Sequence, residues 1–170
     1  MANISSALVQ VVFRDEEGSS LDIELTENES VTKAITALSY DCEGMACSGN
    51  IFNMSGRWHF SNNFNWDIER EALIQAVRDN YPQVYFVDFT YTDVEVGCEF
   101  LAYGKVTVDI DNESFIDELF VDTSYELFAK AINLPKPLVA DEGNPTDEEA
   151  EKISEWMTTI EDTFTARYMY

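Results

Sequence analysis

Basic side chains are scarce in this chain. Lys and Arg number 10 against 33 Asp and Glu in 170 residues, a formal net charge of −23. Neutralising phosphates takes Lys and Arg, so direct contact with nucleic acid or an anionic membrane is not expected. There is one histidine, His59, which removes most histidine-based triads and proton shuttles. The three cysteines, Cys42, Cys47 and Cys98, are an odd number, which argues against a disulfide framework and for a reducing, cytoplasmic compartment. No apolar run approaches the ~20 residues that span a bilayer. The N-terminal stretch lacks the positive n-region of a secretory signal. The motifs GxSxG, GxGxxG, HExxH and the P-loop are all missing, and no enzyme activity or cofactor is expected.

What is present is a normal globular core. Hydrophobic residues make up 45% and aromatics 13%, with 11 Phe, 8 Tyr and 3 Trp, far too many for a disordered acidic tail. The length fits one domain, residues 1–170. Residues 138–146 form a linker too short to divide it.

Residues 7–13 and 20–25 read as a β-hairpin, the second strand alternating apolar and acidic positions. Val31, Ile35 and Leu38 recur at helical spacing behind Asn28 or Ser30, giving a capped helix over 30–41 that ends near Gly44. Residues 51–54 and 57–60 suggest short strands around a Ser55-Gly56 turn. A helix follows over 67–80, with Ile68, Leu73, Ile74 and Val77 on one face and Asn80 and Pro82 as the stop. Strands over 83–92 and 98–108 form a hairpin. Phe115, Leu119 and Phe120, then Tyr125, Leu127, Phe128 and Ile132, continue a helical pattern. The last helix covers 146–166, with Thr146 and Glu149 as a capping box and Ile153, Trp156, Met157, Ile160 and Phe164 as its apolar stripe. The expected class is α+β: a mainly antiparallel sheet with helices on one face and an acidic C-terminal helix.

Three chemical candidates each have an ordinary explanation. Cys42 and Cys47 with His59 and Cys98 lack the second tight pair of a zinc site, and read as reduced thiols beside an incidental histidine. Asp109-Ile110-Asp111-Asn112-Glu113 opens like a calcium loop. It has Ser114 where the sharp turn needs Gly and Phe120 where a bidentate Glu belongs, so a strand end leading into a capped helix accounts for it. No metal is expected. The aromatic segment from Arg57 to Trp66 carries one base only. Trp58, Phe60 and Trp66 are expected in the core, with the asparagines holding a turn.

The acids are unevenly placed. Residues 81–170 carry 20 acids and 5 bases, residues 1–80 carry 13 and 5. Two dense bands stand out: Asp109, Asp111, Glu113, Asp117, Glu118 and Asp122, then Asp147, Glu148, Glu151 and Glu155. The last four line one helix face at a spacing where like charges repel, with no Lys expected to offset them. Duplex DNA carries one charge per ~1.7 Å, so a net −23 matches ~39 Å of duplex, close to the diameter of a domain of this length.

In size, acidity and lack of catalytic motifs the chain resembles the DNA-mimic anti-defence proteins of phages and mobile elements, the anti-restriction and anti-CRISPR inhibitors. The stretch from Gly56-Arg57-Trp58 to Tyr103-Gly104 also resembles small ferredoxin-like domains on phages and plasmids. The first resemblance implies a protein–protein inhibitor that uses these two acidic bands. Its partner would be a basic nucleic-acid-binding protein: a nuclease, a restriction enzyme or a CRISPR effector. A homodimer is left open. The competing reading is an acidic halophilic or complex-forming domain with no inhibitory role.

Overall fold

The computed structural model describes residues 4–25, 28–40, 44–95, 100–140 and 145–170. The class is α+β, built on one seven-stranded antiparallel sheet. Its strands are β1 (Ile4–Arg14), β2 (Ser20–Leu21), β3 (Met45–Ser48), β4 (Ile51–Arg57), β5 (Phe86–Glu95), β6 (Phe100–Asp109) and β7 (Ser114–Ser124). The helices are α1 (Glu29–Thr36), α2 (Asp67–Asn80), α3 (Tyr125–Ala131) and α4 (Asp147–Met169). The sheet order is β3-β4-β1-β5-β6-β7, with β2 paired to β1. The run β1-α1-β3-β4-α2-β5 is a split βαβ arrangement of the ferredoxin-like kind. β6, β7, α3 and α4 are added to it.

Strict alternation in β1 explains its central place: Val9, Val11 and Phe13 face one side and are fully buried. Phe52, Val87, Phe89, Tyr91, Val106 and Val108 join them, and α1 and α2 close this core with Val31, Ile35, Leu73, Ile74 and Val77. Asn28 caps α1 by accepting the Val31 N–H at 3.1 Å.

The helices do not share one face. Trp156, Ile160 and Phe164 of α4 pack with Tyr125, Phe128 and Leu101 in a second core. Val94, Leu101 and Tyr103 stand in the opposite phase to Tyr91 and Val106, so the far side of β5 and β6 is apolar too and takes a helix of its own. The sheet thus lies between helix pairs.

Several sequence expectations are corrected. The segment 114–124 is the edge strand β7, not a helix, and the calcium-like run leads into that strand. The hairpin in the asparagine-rich region turns at Gly49-Asn50, where Gly49 has φ +53°, while Ser55-Gly56 lies within β4. Gly56 is there for another reason: a Cβ would lie 2.6 Å from the backbone of Phe60, which crosses it in a 3-10 turn over Phe60–Asn65. Trp58 is exposed with φ +70°, and Trp66 is half-buried, its ring centroid 5.5 Å from that of Tyr40. Ile68 lies on the solvent side of α2. α1 stops at Thr36, before the expected end. The strand over 20–25 shortens to Ser20–Leu21, and Leu25 belongs to the core beyond it. Among the described residues no helix is long and apolar enough to cross a membrane.

Candidate acidic interface

The first band is built on the β6–β7 hairpin. Asp109 ends β6 and turns the chain: its carboxylate accepts the Asn112 N–H at 2.9 Å and the Asn112 Nδ2 at 2.9 Å. Desolvation pushes the Asp109 carboxyl up, but the hydrogen bonds from Asn112 and the Asp111 N–H together outweigh it and hold the group below its usual value. Arg78 of α2 reaches under the turn, donating to the Ile110 carbonyl at 2.6 Å and pairing with Glu113 at 2.6 Å. Asp111 is exposed beside it.

Along β7, Glu118 pairs with Lys105 directly across the ladder at 3.2 Å. Asp117 lies on the other face, 3.5 Å from the Tyr91 hydroxyl. That phenol crosses β6 over Gly104, where a Cβ would meet the hydroxyl oxygen at 2.5 Å. Burial, with the charges of Asp117 and Asp93, pushes the Tyr91 phenol far above its usual value, so it remains an O–H donor. Asp122 is exposed opposite Ala102.

The second band runs along α4. Thr146 and Glu149 form the capping box, and Glu149 also accepts the Ala140 N–H at 3.0 Å. Asp147, Glu148, Glu151 and Glu155 are all exposed on the side away from Trp156 and Ile160. The cation that sequence reasoning left out is Lys152, which pairs with Glu148 at 2.7 Å one turn on. Asp147, Glu151 and Glu155 have no ion pair among the described residues. Steps of four residues place these carboxylates ~6 Å apart along the axis.

Six ion pairs engage Arg14, Arg70, Arg78, Lys105, Lys136 and Lys152, leaving four of the ten bases outside any pair among the described residues. The structure brings Asp109, Asp111 and Glu113 together at one hairpin tip and Asp117, Glu118 and Asp122 along one edge. It offsets Glu113, Glu118 and Glu148 with cations. A further exposed group, Glu16, Glu17, Asp22, Glu24 and Glu29, carries no ion pair among the described residues. Its signal in the sequence is the same kind of acid excess, 13 acids against 5 bases over residues 1–80.

Two features escaped sequence reasoning. One is the apolar exposure of β7. The other is Asp93, fully buried at the end of β5 with Glu95 on the same face. Asp93 Oδ2 accepts the Phe60 N–H at 2.7 Å, while its Oδ1 has no partner among the described residues. Burial pushes this carboxyl up to about 7, with Ser5 and the Phe60 N–H drawing it down and the Glu95 charge adding to the rise.

Of the residues weighed for zinc, Cys42, Cys98 and the Cys47 side chain lie outside the described residues, and the His59 ring packs edge-on against Phe100 at 4.5 Å. No cluster of metal-ligating side chains occurs among the described residues. Comparison with protein-family models, curated proteins and solved structures finds no match to this chain.

Proposed function

We propose that this chain is an acidic binding module of the DNA-mimic type. It occupies the nucleic-acid-binding groove of a basic protein, such as a nuclease, restriction enzyme or CRISPR effector, and displaces the nucleic acid. The reading rests above all on the exposed face of α4. Asp147, Glu151 and Glu155 stand there in a row with no paired cation among the described residues, on a 23-residue helix anchored by the Trp156, Ile160 and Phe164 stripe. The row places one charge per ~6 Å, within a factor of two of the ~3.4 Å per charge along one DNA strand. The Asp117 and Asp122 carboxylates add a second charged surface at the β7 edge, on the sheet face opposite α4, with Asp111 at the hairpin tip. A solubilising surface has no need for rigid placement. Here the α4 row sits on a helix held by a capping box, Asp117 and Asp122 on β7 beside the Lys105–Glu118 pair, and Asp111 in a turn tied down by Arg78.

The test is displacement. The chain, immobilised, captures proteins from a host lysate at low salt, and each captured protein is assayed for duplex or guide–target binding with and without added chain. Release of the nucleic acid by near-stoichiometric chain is the expected result. Captured partners that keep their nucleic acid, or capture of nothing that binds nucleic acid, would overturn the reading.

A further inference from the structure

β7 is an edge strand of 11 residues, ~37 Å long, at the open end of the sheet. Long edges invite pairing with another chain, and proteins blunt them with charged side chains, Pro, bulges, short length or cover. β7 has neither Lys nor Pro, its charges are all acidic and so repel only acidic or like strands, its bulge leaves 114–119 regular, and no described element lies beyond it.

Its backbone orientation follows from the ladder. The Ile110 N–H donates to the Tyr85 carbonyl at 2.9 Å, so the neighbouring pair, Phe86 and Asp109, turns its backbone groups away from each other. Asp109 therefore addresses β7, where it is opposite Ser114. Alternation then points Ser114, Ile116 and Glu118 at β6, and turns the N–H and C=O groups of Phe115, Asp117 and Leu119 outward. A bulge between Leu119 and Val121 interrupts the pattern beyond.

The side chains along this edge are apolar and acidic in turn. Ile116 is 65%, Leu119 47% and Phe120 51% exposed. Asp117, Glu118 and Asp122 stand between and beyond them, on both faces.

We propose that β7 takes up an extended, basic segment of a partner protein as an added antiparallel strand. The outward amides and carbonyls supply the ladder bonds. Cationic side chains of the incoming strand sit across from Asp117 and Asp122 on one face and Glu118 on the other. Its apolar side chains cover Ile116, Leu119 and Phe120. A second copy of this chain is a poor occupant, because it would set Asp117, Glu118 and Asp122 against their own like on a molecule of net charge −23. The inference does not depend on groove displacement, since it uses β7's backbone and not the α4 row.

The probe is a capped peptide of about ten residues repeating Lys-Lys-Val-Val, which sets Lys and Val in alternation on each face of the strand. One control repeats Glu-Glu-Val-Val. The other keeps the lysines but replaces each Val by Gly or Ser. The readout is amide hydrogen exchange of the full chain by NMR. The Lys–Val peptide should slow exchange at the Phe115, Asp117 and Leu119 amides by about tenfold or more at saturation, and neither control should. Leu119→Lys, at an exposed position, should weaken the peptide by about tenfold while leaving the protection of β5 and β6 unchanged. The triple variant Asp147→Asn, Glu151→Gln, Glu155→Gln should bind the peptide as the parent does, even if it no longer displaces nucleic acid. Binding without protection of those three amides, equal protection by the Lys–Gly/Ser peptide, or no binding would overturn the proposal. So would concentration-dependent protection of these amides in the free chain, which would assign the edge to a second copy.

Discussion

Replacing Asp93 by asparagine tests whether the buried carboxyl at the end of β5 is a pH-dependent burden on the fold. Burial pushes Asp93 from 3.8 to about 7. That rise is worth at most ~4 kcal/mol between the two protonation states. The folded state holds the proton more tightly than the unfolded chain. The contribution is therefore favourable below pH ~4 and declines between pH ~4 and ~7 at up to ~1.4 kcal/mol per unit. Above that it is lost in full, when the carboxylate is buried charged. The substituted amide would keep an acceptor for the Phe60 N–H but place an NH2 where Oδ1 has no described partner, a fixed penalty of ~1–3 kcal/mol at every pH. The assay is urea unfolding of parent and Asp93→Asn at half-unit steps from pH 5 to 8.5, reading the difference in stability. That difference should move in the variant's favour by ~2–3 kcal/mol between pH 5 and 7.5 and then level off. The fixed penalty shifts the curve without changing its slope. A difference that is flat from pH 5 to 8.5 would refute the assignment of a raised carboxyl to Asp93.

Other expectations follow from packing and caps. Gly104→Ala drives a methyl into the Tyr91 hydroxyl and should destabilise by ~1–3 kcal/mol; the double variant with Tyr91→Phe should recover part of that, and no recovery in thermal melts would contradict the contact. Thr146→Ala removes the capping box and should lower stability by ~1 kcal/mol, with early fraying of α4 amides in hydrogen exchange as the local signature. Phe164→Ala opens a cavity in the second core and should cost ~3–5 kcal/mol in denaturant melts, while an effect below ~1 kcal/mol would mean that α4 docks by other contacts. The α4 triple variant should be as stable as the parent or more so at low salt, because self-repulsion falls, with the gain vanishing at high salt.

Much of the fold was legible because local signals agreed with the tertiary result. Asn28 caps α1 and Thr146 with Glu149 caps α4, as their residue types require. The alternation in 7–13 and the β-branched, aromatic run in 83–92 sit at the centre of the sheet. The segment 114–124 misled for a physical reason. Phe115 and Leu119 are four apart, which is one helix face and also one strand face. The bulge that inserts Phe120 then hides the alternation of period two. Only the pairing with β6 separates the two readings. The acidic bands were visible as density, but their net charge was not. Arg78 comes to Glu113 from α2 and Lys105 to Glu118 from across the ladder, partners set by topology. Asp93 could not be read as buried, because its setting depends on the 3-10 turn that brings the Phe60 N–H to its carboxylate from a segment 33 residues earlier.

The central claim is that patterned acids, and not total charge, carry the association. It is tested most directly by comparing three variants of equal charge change against one captured target, across a salt series. One replaces Asp111, Asp117 and Asp122 by Asn. The second carries Asp147→Asn, Glu151→Gln and Glu155→Gln. The third carries Glu16→Gln, Glu17→Gln and Glu24→Gln in the N-terminal half. Each exposed pair is worth at most ~1 kcal/mol, so the loss must come from a whole band. Either C-terminal set should weaken binding by about a hundredfold at low salt and flatten its salt dependence, while the N-terminal set leaves both nearly unchanged. Equal losses from all three would assign association to bulk charge, and no loss from any would contradict the account.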